Sequence, residues 1–152
     1  MCKHKVLFLA LLSCFGGLAI YGQSSPIKVE IRLAKTTIKN NEELSVSTAL
    51  RNASKEEQVL EVWACGYPNQ WIADNPSVHV IGEGCLKNTS FRVRLEPGKA
   101  FERAVSVRVQ LAAGKGQAES VTFRLGIVDG AYGSAWTVSQ TWSNSVTVSV
   151  TK

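Results

Sequence analysis

The sequence predicts an all-β protein, an antiparallel β-sandwich of about seven to eight strands. First, apolar residues recur with a period of two through residues 27–150 and never with the helical period of about 3.6. Second, turn-forming residues interrupt these runs about every 8–15 residues. Alternation favours antiparallel sheets that keep one face wet, and two such sheets bury their other faces against each other. A closed barrel is the alternative architecture.

The individual strands follow from this alternation. Ile27 to Leu33 alternates apolar and charged residues, and Leu44 to Leu50 lines one face of the next strand. In the run from Gln58 to Cys65, adjacent apolar residues leave the inward face open. The remaining predicted strands lie around residues 78–80, 91–95, 105–111, 121–127 and 146–150. Asn40-Asn41 and Pro97-Gly98 predict turns.

Residues 1–22 are predicted to be a secretory signal peptide. Lys3 and Lys5 form a basic start, Val6 to Leu12 is unbroken apolar sequence, and Gly22 supplies the small residue next to the cut. Residues 23–152 are then expected to form a single domain with a real core. The apolar run is too short and interrupted to predict a membrane span.

A lipoprotein signal is the alternative, because Leu11-Leu12-Ser13-Cys14 resembles a lipobox that would place a lipid anchor on Cys14. The sequence after Cys14 stays apolar through Ile20, which favours a continuing signal peptide and a secreted or periplasmic protein.

The charge pattern argues against nucleic acid as a partner. The formal net charge of +5 falls to +3 after cleavage, because residues 1–22 contain Lys3 and Lys5 and no acidic residue. The remaining basic residues are scattered and form no run.

Cys65 and Cys85 are the only cysteines that follow the predicted signal peptide. In an exported protein such a pair predicts a disulfide bond, worth about 3 kcal/mol for a loop of this length. A metal site or catalytic thiol is the alternative, but only His79 remains among the histidines and no second cysteine lies close in sequence.

Two segments resemble bacterial immunoglobulin-like domains. Asn41 to Ser54 is similar to their second strand and following turn, and Leu95-Glu96-Pro97-Gly98-Lys99 resembles their Leu-x-Pro-Gly turn between consecutive strands. The resemblance implies an immunoglobulin-like sandwich in a cell-envelope or secreted setting, and it implies no activity. The segment from Trp63 to Cys85 lies outside it.

The residues give no support for catalysis, a metal or another cofactor. There is no Gly-x-Ser-x-Gly motif, and His79 lies between Val78 and Val80, so it is expected to point away from them as a structural side chain. The acidic residues Asp74, Glu83 and Asp129 match no calcium loop.

Aromatic residues are the candidate ligand-binding residues. Tyr67 and Trp71 lie in a turn-rich loop, where they either cap the core or form an exposed platform for a sugar ring or peptide. Trp136 and Trp142 flank the last turn and could join the same surface. Trp63, next to Cys65, is expected to pack in the core.

Two further surface features have a simple and a functional interpretation. Outward-pointing arginines on neighbouring strands predict solvated edge charge or a basic strip for acidic glycans or anionic lipids. They are Arg92, Arg94, Arg108 and Arg124. Asn52-Ala53-Ser54 and Asn88-Thr89-Ser90 match glycosylation sequons, interpreted here as chance matches because the signal and the resemblance favour a bacterial protein.

The sequence therefore favours an exported, non-catalytic binding module that contacts protein or carbohydrate through the aromatic, disulfide-braced loop. One alternative is a proteinase inhibitor that uses Gly66 to Asn75 as a protruding loop. The other is a structural module without a ligand of its own, for which the tryptophans would be buried.

Overall fold

The computed structural model describes residues 25–82, 84, 89–111, 119–128 and 140–151. These residues form twelve strand segments and one 3-10 helix, Tyr67–Gln70. The strands are β1 (Ile27–Leu33), β2 (Thr37–Lys39), β3 (Glu43–Asn52), β4 (Gln58–Trp63), β5 (Trp71–Ala73), β6 (Val78–Val80), β7 (Ser90–Leu95), β8 (Ala100–Val109), β9 (Glu119–Phe123), β10 (Leu125–Val128), β11 (Gln140–Trp142) and β12 (Val146–Thr151). In this part of the chain no helix has the length and apolar character to cross a membrane.

The first sheet is antiparallel and has the strand order β1-β3-β8-β6. β1 and β6 are its two outer strands. The β3–β8 pair is its longest, with nine residues of each strand in register from Glu43 opposite Arg108 to Arg51 opposite Ala100.

The second layer is built from strands that are interrupted rather than separate. Only Arg124 separates β9 from β10, and residues 143–145 separate β11 from β12. β5 pairs with β10, β10 with β11, and β9 with β12, all antiparallel, while the short β2 runs parallel to β12. In this second layer the last two interrupted strands of the chain, β9–β10 and β11–β12, pair with each other, and β10 also pairs with β5. A four-stranded sheet that faces a sheet of this kind has the strand order of an immunoglobulin-like sandwich.

β4 and β7 form a separate two-stranded ribbon. It settles the face that the sequence left open, because Val62 is buried and Leu60 half-buried while Val59 is 52% exposed. The predicted all-β sandwich is thus confirmed.

Alternating side chains from both layers form the core. On β3 the inward positions Leu44, Val46, Thr48 and Leu50 are each at most 2% exposed, as the alternation predicts. Phe123 and Val148 meet them from the second layer and are equally shielded.

The structure adds three strands that the sequence did not predict, namely β2, β5 and β11, each of three residues. None of these three segments has two apolar residues on either side of a polar one, as β6 has, so the alternation could not mark them as strands. The predicted turns are confirmed, because Asn41 and Gly98 both have positive φ values, of 66° and 76°.

Asn52 organises the chain between β3, β4 and β7. Its side-chain Nδ2 donates to the carbonyl oxygens of Leu95 at 2.8 Å and Glu56 at 2.7 Å, and its Oδ1 accepts from the backbone N–H and hydroxyl of Ser54. The residue is fully buried. The amide nitrogen of this sequon is therefore committed to the fold, whereas Asn88 lies outside the described residues.

Candidate functional site

The loop that holds Tyr67 and Trp71 does not form an exposed platform. Tyr67 is 0% exposed and Trp71 3% exposed, so of the two alternatives these residues cap the core, and their assignment to an exposed surface for a sugar or peptide is wrong. Their ring centroids lie 5.7 Å apart at an angle of 69°, and Tyr67 makes a second edge contact with Phe101 at 6.0 Å. The 3-10 helix and β5 place both rings in the core, where Tyr67 meets Phe101 of β8 and Thr48 of β3, which are distant from it in sequence.

A buried chain of hydrogen bonds fixes Tyr67. The hydroxyl of Thr48 donates to the carbonyl oxygen of Arg103 at 2.6 Å, so the Tyr67 hydroxyl is the donor in its 2.7 Å bond to Thr48 Oγ1. The Arg103 guanidinium carbon lies 5.1 Å from the centre of the Tyr67 ring. The neighbouring indole N–H of Trp71 is buried and has no hydrogen-bond partner of normal geometry among the described residues.

Because of this environment, we expect the free energy of unfolding to change with pH in the alkaline range. Burial raises the pKa of Tyr67, against opposing effects of Thr48, Trp71 and Arg103. Above pH about 10 an unfolded tyrosine loses its proton while folded Tyr67 keeps it, so the free energy of unfolding falls as the pH rises. We expect urea unfolding between about pH 8 and pH 11 to show a smaller fall for Tyr67→Phe than for the wild type. Equal falls in both proteins would contradict this.

Other sequence-predicted residues lie partly or wholly outside the described residues. Trp136, Cys85 and Asn88 are outside them, so the aromatic role of Trp136 and the Cys65–Cys85 bond stay predictions. Trp63 is half-buried at the end of β4 rather than fully in the core.

The four arginines do not form one strip. Arg92 and Arg94 lie on the β4–β7 ribbon, Arg108 on the first sheet, and Arg124 in the second layer. Arg94 pairs with Glu57 at 3.1 Å. Their division among three sheets favours the interpretation as solvated edge charge over the alternative of one basic strip for acidic glycans or anionic lipids.

Of the candidate aromatic residues that the structure describes, Trp142 is the one that remains partly accessible. It is half-buried and lies opposite Gly126 in the β10–β11 pair. A Cβ atom on Gly126 would come within 2.9 Å of Trp142 Cε3, so the absent side chain of glycine makes room for the indole ring. The Arg124 guanidinium carbon lies 5.3 Å from the ring centre, in the range of a cation–π contact.

Asp74 holds Arg124 in this position. Its Oδ1 accepts the Arg124 backbone N–H at 2.7 Å, and its Oδ2 accepts Nε–H at 2.8 Å. Although partial burial of Asp74 acts in the other direction, these bonds and the charge of Arg124 lower the pKa of Asp74. The carboxylate therefore stays ionised at neutral pH and the three side chains form a connected set.

The outer edge of β1 carries main-chain groups that pair with none of the described strands. The Pro26 carbonyl oxygen accepts the Ala53 N–H at 2.8 Å on the β3 side. Ile31, by contrast, directs its N–H and C=O away from β3, to the side chain of Asn144 at 2.8 and 3.1 Å. Because directions alternate along an antiparallel strand, the N–H and C=O of Val29 also face outward. They have no hydrogen-bond partner among the described residues.

A groove of about 770 Å³ follows this edge. It is lined by residues 25–30, 53–54 and 141–144, which include Val29 on one side and Trp142 on the other. We call it the edge groove. Its volume lies in the range of about 300–1,000 Å³ that is usual for ligand sites.

The break between β11 and β12 shapes the end of the edge groove. Ser143 exchanges hydrogen bonds with Leu125 through its backbone N–H at 2.9 Å and its Oγ at 3.0 Å, and Oγ donates to the Asn144 carbonyl oxygen. The Ser143 hydroxyl thus takes the place of a backbone carbonyl oxygen as the acceptor for Leu125, and the side chain of the next residue, Asn144, bonds to Ile31. The amide of Asn144 thus ends the free part of the β1 edge.

The edge groove offers an accessible aromatic side chain and outward main-chain groups as possible contacts for a ligand. Within the described ranges no cluster of three or more His, Cys, Asp or Glu residues could hold a metal. His79 is exposed on β6, opposite Arg108, and points away from buried Val78 as the alternation predicts.

Sequence reasoning identified Trp142 but missed the rest of this site. Val29 looks like any other apolar residue of an alternating strand. Its outward main-chain groups can be identified only once β1 is known to be an outer strand. Asn144 and Gly126 carry no motif, and the pairing of Asp74 with Arg124 joins residues fifty positions apart.

Comparisons with known proteins yield distant structural likeness only. No protein-family model and no curated protein matches the chain. A crystal structure of Salmonella alpha-2-macroglobulin reacted with methylamine is similar at 12% identity and a TM-score of 0.47, over 83% of this chain and 7% of that one. Native Escherichia coli alpha-2-macroglobulin, spanning domain MG7 to the C-terminus, gives 12% and 0.45, over 82% and 16%. The chain thus spans a small part of either protein, and likeness at this level says nothing about activity.

Proposed function

We propose that this protein is an exported, non-catalytic binding module of the cell envelope whose ligand site is the edge groove. The observation that supports it is the half-buried side chain of Trp142 beside a groove lined by main chain at the edge of a strand. Aromatic rings with one accessible face are frequent anchors for protein and carbohydrate ligands. The site thus differs from the aromatic loop that the sequence favoured.

The exported setting is part of this proposal. Residues 1–22 carry the pattern of a cleaved signal peptide, with lipid attachment at Cys14 as the alternative. A disulfide bond between Cys65 and Cys85 would form in the same oxidising compartment.

The geometry gives less support to the alternative of a proteinase inhibitor. An inhibitory loop has to project from the surface to enter a protease, whereas Gly66, Tyr67, Pro68 and Trp71 are buried. The buried tryptophan would suit a structural module, but the edge groove would then have no use.

We expect Trp142→Ala to weaken ligand binding at least about tenfold, because truncating a central aromatic anchor removes its contact area. The measurement is to probe glycan and random-peptide arrays with the purified protein and to titrate the hits with the variant. Phe91→Ala is the matched control, since Phe91 is 42% exposed and does not line the groove. No hits on either array, or equal binding by both variants, would contradict the proposed function.

A further inference from the structure

We infer that the occupant of the edge groove is an extended segment of a partner polypeptide, which adds to the first sheet as an antiparallel strand beside β1. This inference rests on the proposed function and deepens it, because it names the class of ligand and the atoms that recognise it.

The free groups of β1 match a peptide backbone. The Ile27 N–H bonds to Ser25 Oγ at 3.2 Å, so the outward groups without a partner in the described part of the chain are the Ile27 C=O and the N–H and C=O of Val29. One acceptor followed by a donor and acceptor on the next outward residue is the pattern that an antiparallel strand satisfies. A partner residue opposite Val29 would make two hydrogen bonds, and its second neighbour would donate to Ile27. Sugar hydroxyls have no such fixed spacing.

Asn144 sets the length and register of this pairing. Its side chain occupies the N–H and C=O of Ile31, two residues beyond Val29, in the way that another strand would. An added strand therefore has to end or bend at this point. Limiting the free edge in this way also protects an outer strand against open-ended association with other chains.

The surroundings predict the side chains of the partner segment. Residues opposite Ile27 and Val29 share the face on which Val29 is 5% exposed, so apolar side chains suit them. The residue between them lies beside Lys28 on the solvent face, where Arg51 is opposite Lys28 and Glu30 lies 3.5 Å from Arg51. Two cations and one carboxylate favour an acidic residue there.

The test uses the purified protein and a random peptide library displayed on phage. Val29→Pro removes the outward N–H of β1 without removing a bond to β3, and proline is tolerated at such edge positions. Its matched control is Val80→Pro on β6, the opposite outer strand. The Ile81 N–H bonds to β8 at 2.8 Å, so the N–H of Val80 also faces away from the ladder.

We expect selected peptides to alternate apolar and acidic residues and to bind Val29→Pro about tenfold more weakly than Val80→Pro. On the wild-type protein, N-methylation of the synthetic peptide should weaken binding about tenfold at alternate residues and leave it nearly unchanged at those between them. This second measurement needs no variant to fold.

The outcomes separate the inference from the function on which it rests. Peptide or glycan binding that depends on Trp142 but is insensitive to Val29→Pro and shows no alternation on N-methylation would overturn strand addition and keep the site. Light scattering that shows a dimer, converted to monomer by Val29→Pro, would make a second copy the occupant and also overturn the inference.

Discussion

Trp71→Ala is expected to lower the free energy of unfolding by about 4 kcal/mol, because it removes a large buried aromatic side chain from the core. Trp71 is 3% exposed and packs edge-on against Tyr67, so its truncation would leave a cavity inside the core that the neighbouring side chains fill only in part. Urea unfolding followed by circular dichroism measures this change.

Trp71→Phe is the matched control and should cost much less. It keeps an aromatic ring and removes a buried indole N–H that has no hydrogen-bond partner of normal geometry among the described residues. Trp142→Ala should also cost little, because this ring is half-buried. In acrylamide quenching, we expect Trp142 to be the more accessible of the two. Efficient quenching of Trp71, with a small stability loss on its truncation, would show that the loop is exposed after all.

Asn52→Ala is expected to cost about 3 kcal/mol, since it removes the side-chain hydrogen bonds of a fully buried residue and leaves the buried carbonyl oxygen of Leu95 without this donor. The lost bonds join the end of β3 to Leu95 on β7 and to Glu56 before β4, so the effect should spread to the ribbon. Chemical unfolding measures the loss of stability. Hydrogen exchange should show faster opening of β4 and β7 than of β8.

Ser54→Ala is the control for the same network. It removes a hydroxyl that donates to Asn52 Oδ1 and leaves both bonds of Asn52 Nδ2, so we expect a loss of about 1 kcal/mol. Asn52→Asp keeps an acceptor for Ser54 but directs a carboxylate at the carbonyl oxygens of Leu95 and Glu56, and should be nearly as damaging as alanine. A small effect of both Asn52 variants would show that solvent replaces the amide.

The residues of the binding proposal differ from those on which the stability of the fold is expected to depend. Trp71 and Asn52 act inside the fold, whereas Trp142 and the outward groups of Val29 lie along one groove at its side. Trp142→Ala should alter binding with little change in unfolding, and N-methylation of the peptide tests the outward groups of Val29 without a variant of this core residue. This separation allows the function to be tested in folded protein.

Local alternation determined most of the fold. The residues of β3 predicted its buried face, Asn41 and Gly98 marked turns that the structure contains, and the period of two predicted two packed antiparallel layers. These features depend on neighbours along the chain, because side chains of a strand alternate whatever strand lies beside it. That is why a single sequence was sufficient for them.

Tertiary structure decided which residues are available to a ligand. Tyr67 and Trp71 lie in a segment whose residue types are typical of a binding loop, yet the 3-10 helix and β5 place their rings in the core. Trp142 stays partly accessible, and the absent side chain of Gly126 makes room for its ring on the sheet. The free edge at Val29 exists only because β1 is an outer strand, a fact of strand order. Burial and edge position depend on residues far apart in sequence, so the alternation that predicts a strand contains no information about either.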